Sequence, residues 1–390
     1  MPIEGRSRES AETRIRLGMV GGGEGAFIGA VHRLAARMDD HYVFVAGALS
    51  ATPEKAKRSG QALGLPPDRI YGDYETMAKA EARRPDGIEA VAIATPNDMH
   101  APVSKAFLKA GIHVICDKPL TVNLKEALSL RKAVKGSGRI FALTHNYTGY
   151  PMVRHARAMV AAGELGQLRL VQVEYPQDWL TEKIEDTGQK QAVWRNDPRR
   201  AGAGGCLGDI GTHAYNLASF VTGLELDRLS ADLTSFVKGR KLDDNVHIMM
   251  RFKGGAKGML WASQVAPGNE NNLKLRVYGT RGGLEWWQEH PNQLIWSPFN
   301  KAPQILSRGT PSANAAAARV TRVPPGHPEG YLEGFANLYT EIAAAIRAAR
   351  SNKRMDPAVT FPTVEDGVRG IAFIEAAVKS SARDGKWVKL

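Results

Sequence analysis

The chain has 390 residues, 43% of them hydrophobic, 24% charged and 7% aromatic, which fits an ordinary globular protein and excludes a disordered, collagenous or disulfide-stapled one. Net charge is +12, from 52 Lys and Arg against 40 Asp and Glu, but the basic residues are scattered, so no nucleic-acid partner is expected. The two cysteines, Cys116 and Cys206, exclude a disulfide framework and a four-cysteine zinc site; no apolar run reaches the roughly 18 residues of a membrane span. Residues 1–13 are polar, lack the apolar core of a secretory signal and read as a flexible N-terminus. Together these features point to a cytoplasmic protein with no membrane partner.

Length predicts two domains. Over residues 14–148, short apolar runs at 15–20, 42–49, 90–95, 113–116 and 140–144 alternate with helical patterns at 53–63, 100–110 and 124–134. Continuous apolar strands between helices predict a doubly wound parallel sheet of the Rossmann type. Over 149–390 the pattern changes: 168–175, 246–252 and 273–278 alternate apolar and polar residues, which predicts half-buried antiparallel strands. A glycine-rich opening at 202–211 turns helical, and long helices are predicted at 329–350 and 363–381, where they can pack back on the first domain. The fold class is therefore α/β, a Rossmann domain followed by an α+β domain with a mostly antiparallel open sheet. The Pro-, Ala- and Gly-rich stretch 297–328 reads as an extended surface excursion.

Four motifs carry chemistry. The first, Gly21-Gly22-Gly23-Glu24-Gly25-Ala26, follows the first strand and precedes a helix, so Gly21, Gly23 and Ala26 satisfy the G-x-G-x-x-G/A dinucleotide fingerprint, with Gly25, Phe27 and Ile28 beside it. Such a site places the dinucleotide's pyrophosphate at the helix N-terminus. The second strand ends at Ser50 where an NAD site usually has an acid; Lys55 and Arg58 follow, which leans toward NADP without excluding NAD. The second motif, Thr95-Pro96-Asn97-Asp98-Met99-His100, closes another core strand, and Asn97 and His100 are expected to face the cleft. The third, Asp117-Lys118-Pro119, sets a lysine at a strand's C-terminal end, where it can bind a substrate hydroxyl and favour loss of its proton. In the fourth, Asp209-Ile210-Gly211-Thr212-His213, residues four apart share a helix face, so Asp209 can orient the His213 imidazole as an acid/base pair. A third metal ligand is missing from that register, and no metal is expected.

These motifs, in this order over residues 14 to about 385, resemble the Gfo/Idh/MocA family of glucose–fructose oxidoreductases and inositol dehydrogenases. Trp194-Arg195, Asp197-Pro198 and the run 334–339 also look like family sequence. The resemblance implies an NAD(P)-dependent dehydrogenase or reductase acting on a secondary alcohol of a sugar, anhydrosugar, sugar acid or cyclitol. It also implies Lys118, Asp209 and His213 as the catalytic constellation and a cis peptide before Pro119. Asn216 departs from the acid found in many members. Tyr147, Asp178, Trp179 and Arg195 are further candidates for substrate contact. Two other readings stay open: a lyase or glycosidase that oxidises a sugar transiently with retained cofactor, and a catalytically silent dinucleotide-binding regulator. An open antiparallel sheet leaves a face to cover, so a homodimer or homotetramer is expected.

Overall fold

The computed structural model describes residues 14–390. The expected flexible stretch 1–13 lies outside the described residues. Five parallel strands, β1 (Ile15–Gly21), β2 (Tyr42–Ala48), β3 (Ala90–Ala94), β4 (His113–Cys116) and β5 (Phe141–Leu143), form one sheet in the order β2-β1-β3-β4-β5. Every residue of β3 and β4 is buried, which is why these strands read as unbroken apolar runs. The strand order reverses beside β1, so the C-terminal ends of β1 and β3 open onto a crevice.

A nine-stranded sheet follows: β6 (Leu168–Pro176), β7 (Leu226–Thr234), β8 (Asn245–Phe252), β9 (Lys257–Ser263), β10 (Lys274–Gly279), β11 (Gly282–Trp287), β12 (Gln293–Pro298), β13 (Gln304–Ser307) and β14 (Val388–Lys389). Its order is β13-β12-β11-β10-β6-β9-β8-β7-β14, antiparallel throughout except where β6 pairs with β9. Along β8, the even positions Val246, Ile248, Met250 and Phe252 are buried and the odd ones His247, Met249 and Arg251 exposed, the period of two that sequence predicted.

Two C-terminal helices tie the halves together. The helix Tyr331–Arg350 begins where the Glu333 carboxylate accepts the Gly330 N–H at 2.8 Å. It lays Phe335, Leu338, Ile342 and Ile346 against Ile15, Leu17 and Val31 of the first sheet and its helix. Inside that seam the Tyr42 hydroxyl donates to the Tyr339 carbonyl at 2.9 Å, and His32 Nδ1 lies 2.7 Å from the Tyr339 hydroxyl. The helix Val364–Ser381, capped by Thr363, packs on the helix Leu124–Ser137 and on β7.

The stretch 297–328 is more than an excursion. It contributes β13 and a short helix, Ala315–Ala318, and is pinned from inside by Arg308, which is 2% exposed. The Arg308 guanidinium donates to Asn292, to Glu329 and to the carbonyls of Val323, Pro324 and His327. Arg322 reaches Asp39 in the Rossmann half. Its Pro- and Gly-rich composition made the segment look like loop, but buried guanidinium bonds satisfy its irregular backbone.

Candidate active site

A cleft of about 760 Å³ runs across the C-terminal ends of β1 to β4, roughly the size of a cofactor site. One wall is the glycine turn. Gly21 and Gly22 have φ of 74° and 70°, and an added Cβ at Gly21 would lie 2.6 Å from the Ala94 carbonyl. A Cβ at Gly23 would meet the Leu49 carbonyl at 2.6 Å and the Ser59 hydroxyl at 2.7 Å. The helix Phe27–Met38 begins at Ala26 without a side-chain cap, leaving its N-terminal N–H groups available to an anionic ligand. The Thr95 hydroxyl is buried in the same cleft without a partner. A tight cradle, an uncapped helix start and an unpaired hydroxyl fit a dinucleotide.

Of the cofactor candidates, Gly21, Gly23, Ala26, Ile28, Ser50, Lys55, Thr95, Pro96, Asn97, Asp117, Lys118 and Pro119 line this cleft. Four do not. Gly25 turns outward with nothing near its Cβ position, and Phe27 is 68% exposed, stacked on Tyr331. Arg58 stays in solvent near Glu24. His100 is fully buried, with Nδ1 2.7 Å from the Pro119 carbonyl and Nε2 3.1 Å from the Thr95 carbonyl. It faces those strand ends instead of the cleft, and burial lowers its pKa. Asn97 reaches the cleft but spends its amide on the Ala201 carbonyl, 2.9 Å away. The close approach of helix to turn falls on Gly29, not Ala26: a Cβ there would sit 2.3 Å from the Gly22 backbone. At the other end of the cleft, Ser50 Oγ accepts the Thr52 N–H at 3.1 Å, so its hydroxyl proton stays free to donate. Lys190, which the sequence reading missed, lines the cleft from the second domain; burial, Lys55 and Arg200 lower its pKa.

Lys118 and Asp209 meet at the floor. Lys118 follows β4, its peptide to Pro119 is cis, and its Nζ donates to Asp209 Oδ1 at 2.9 Å and to the Asp209 carbonyl at 2.6 Å. Asp209 sits in a π-helical turn, Leu207–Gly211, that runs into the helix Thr212–Thr222. Arg195 Nε stands 3.3 Å from Asp209 Oδ1, and Gln264, at the end of β9, donates to Oδ2 at 2.9 Å. Burial raises the Asp209 pKa, but Lys118, Arg195 and the bonds from Lys118 and Gln264 outweigh it and hold the carboxyl well below its usual range. The carboxylate is therefore taken up by cations and an amide. It does not orient His213, as the four-residue spacing suggested, because an ammonium at 2.9 Å is a stronger partner than a neutral imidazole.

His213 lies behind this pair, 7% exposed and outside the cleft lining. Its Nδ1 is 3.4 Å from Nδ1 of His145, and its ring meets the edges of Tyr147 and Tyr175. Burial, then Lys118 and His145, push its pKa well below that of a free histidine. Tyr147 is buried and hydrogen-bonded to Tyr175 and Asn271. Asp178 accepts the Gly268 N–H at 3.3 Å, and Asp178 and Trp179 lie outside the cleft; Arg195 lines it, stacked on Trp194. Among the described residues no His, Cys, Asp and Glu cluster is arranged to hold a metal, and no helix is long and apolar enough to cross a membrane.

Residues 15–145 match the oxidoreductase family with an NAD-binding Rossmann fold, and residues 153–285 match the GFO/IDH/MocA C-terminal domain. The chain belongs to the Gfo/Idh/MocA family. It is similar to an oxidoreductase of Sinorhizobium meliloti whose crystal structure is 59% identical, with TM-score 0.88 over 96% of this chain and 99% of that one. It also resembles an inositol dehydrogenase homologue of Azotobacter vinelandii crystallised with NAD+, 40% identical, with TM-score 0.93 over 97% and 98% of the two chains. Levoglucosan dehydrogenase of Pseudarthrobacter phenanthrenivorans is 27% identical over 410 residues, covering 96% of this chain and 97% of its own. The protein is accordingly an NAD-binding oxidoreductase with the dehydrogenase fold of its relatives.

Proposed function

We propose that the protein transfers a hydride between a nicotinamide and a secondary alcohol, or the matching ketone, of a cyclitol, sugar or anhydrosugar. The observation that carries this is the Lys118–Asp209 pair at the floor of the dinucleotide cleft. A nicotinamide dinucleotide, held by the glycine turn and the helix start behind it, would supply the acceptor for the hydride of the carbinol carbon. Lys118 Nζ hydrogen-bonds the reacting hydroxyl and lowers the cost of its losing a proton. Asp209 fixes the ammonium through its carboxylate and carbonyl. In this reading the hydroxyl proton passes by way of Lys118 Nζ to His213, which lies behind the pair and which burial keeps neutral, and His145 receives or returns a hydrogen bond at its Nδ1. Arg195 supports the same carboxylate from the second domain, and Tyr147 walls the imidazole. Reduction runs the same steps backward.

The adenosine end of the cleft supports NADP as the preferred cofactor. Ser50 replaces an acid there, and Lys55 and Lys190 approach from opposite sides without an ion-pair partner among the described residues. The reading includes a cytoplasmic protein that assembles as a homodimer or homotetramer through the open face of the large sheet, where Leu170, Met249, Met259, Ile295 and Ile305 are exposed. A panel of inositols, hexoses and anhydrosugars incubated with NAD+ or NADP+, followed by nicotinamide absorbance, tests the reaction. The expected result is net reduction with a cyclitol or sugar; no net reduction, and no net oxidation of NADH or NADPH with the corresponding ketones, overturns it.

A further inference from the structure

Asp209 is held by more than its salt bridge. The turn before it, Gly204-Gly205-Cys206-Leu207-Gly208, has three consecutive backbone N–H groups committed to one distant residue, Asp243. Asp243 Oδ1 accepts from Gly205 N at 2.7 Å, Oδ2 from Leu207 N at 2.7 Å, and the Asp243 carbonyl from Cys206 N at 2.8 Å. The Asp209 N–H then closes on the Gly205 carbonyl at 2.9 Å, so the first turn that carries the carboxylate is built directly on those bonds. Contact is too close for any side chain at 205, since a Cβ there would stand 2.3 Å from the Asp243 carbonyl.

The next residue in the chain holds the other side of Asp209. The Asp244 carbonyl accepts the Gln264 N–H at 2.8 Å, and the Gln264 amide donates to Asp209 Oδ2 at 2.9 Å. Asp244 is itself tied in: fully buried, its carboxylate accepts from Phe236 N, Val237 N and Arg240 Nη1 at 2.9, 3.0 and 3.1 Å. Both faces of Asp209, its backbone and its outer carboxylate oxygen, are thus referenced to one dipeptide at the mouth of β8. The opposite edge of the same carboxylate meets Lys118 of the Rossmann half.

We propose that Asp243 is a positioning residue that sets the place of Asp209 against Lys118, and through it the rate of the chemical step. This rests on the reading of Asp209 as part of the reacting site. Its consequence is a loss that appears in kcat and not in dinucleotide binding. A displacement of about 1 Å at such a pair costs on the order of a hundredfold.

The test compares Asp243→Asn, Asp243→Ser and Asp209→Asn with the double variant Asp243→Asn/Asp209→Asn, measuring kcat, dinucleotide Kd by calorimetry and Tm on each. Asparagine keeps one acceptor oxygen but sets an amide N–H against the second backbone donor. Expected is a fall in kcat of about ten- to a hundredfold for Asp243→Asn, with Kd within threefold of wild type and the double variant no slower than Asp209→Asn alone. A wild-type kcat in Asp243→Asn, or losses that multiply in the double variant, overturns the positioning role while leaving Asp209 in place. So does loss of fold or of dinucleotide binding in both the Asn and Ser variants, which would make Asp243 a general support. An Asp209→Asn protein of full activity removes the reading beneath it as well.

Discussion

At the scale of single residues, the decisive group is an ammonium whose only ion pair among the described residues is with a partly buried carboxylate from the other domain. Removing the charge while keeping the length, as in Lys118→Met, is expected to cut kcat by roughly 10²–10⁴-fold, the usual range for acid/base groups. Dinucleotide Kd should change little, because the glycine turn and helix start supply that binding. Steady-state kinetics with calorimetry in parallel separates the two, and a near-wild-type kcat sinks the role. Cofactor preference is tested at Lys55: Lys55→Ala should raise the NADP KM by roughly ten- to a hundredfold, the loss of a charge-assisted bond of about 1.5–3 kcal/mol, and leave NAD nearly unchanged. An equal effect on both cofactors counts against a 2′-phosphate contact. Lys118 was legible in the sequence because a strand end followed by Pro119 fixes both place and direction. Its partner was not: the spacing of Asp209 and His213 gave a shared face, while the actual partners, Arg195, Gln264 and Lys118, are brought in by tertiary packing that no local pattern encodes.

At the scale of elements, the contact between the helix Phe27–Met38 and the glycine turn governs how the cleft keeps its shape. A methyl group at Gly29 would collide with Gly22 backbone atoms, which cannot rotate away as a flexible side chain would. Gly29→Ala is therefore expected to lift the helix from the turn at an overpacking cost of about 1–3 kcal/mol, lowering Tm and weakening dinucleotide binding together. Ala30→Ser, one residue on and exposed, should do neither; thermal melts with and without dinucleotide distinguish the two variants. The strands of the parallel sheet could be read within a residue or two, since continuous burial leaves continuous apolar runs. The alternating strands β6, β8 and β10 were equally plain. What sequence could not give was the π-helical turn under Asp209, because the N–H groups that lead into it are satisfied by Asp243, 36 to 38 residues away along the chain. The segment 297–328 was misread for a related reason: composition marks a loop, but not the buried Arg308 that organises it.

At the scale of the whole molecule, the buried histidines set how stability answers to pH. His32, His100, His113, His145, His155 and His213 all have pKa values lowered chiefly by burial, with His113 and His145 brought to about 4. Between that value and the ordinary 6.5 of an unfolded histidine, the unfolded chain binds protons that the folded one refuses. The stabilisation from keeping these rings neutral is therefore complete above pH 6.5 and is lost as pH falls toward 4. A single fully buried ring such as His145 accounts for on the order of 3 kcal/mol of that loss. Asp243 works in the opposite sense. Burial outweighs its two backbone bonds and raises its pKa to about 6, so it contributes stability that is present below pH 3.8 and fades as pH rises to 6. Asp209, held far below the usual carboxylate range, releases its share only under pH 3.8, outside this window. Six rings outweigh one carboxyl. The urea midpoint of the dinucleotide-free protein should be flat from pH 8 to 7 and then drop steadily between pH 6.5 and 4.5. A midpoint that holds or rises across that interval would mean that these rings, taken together, are not kept neutral by the fold.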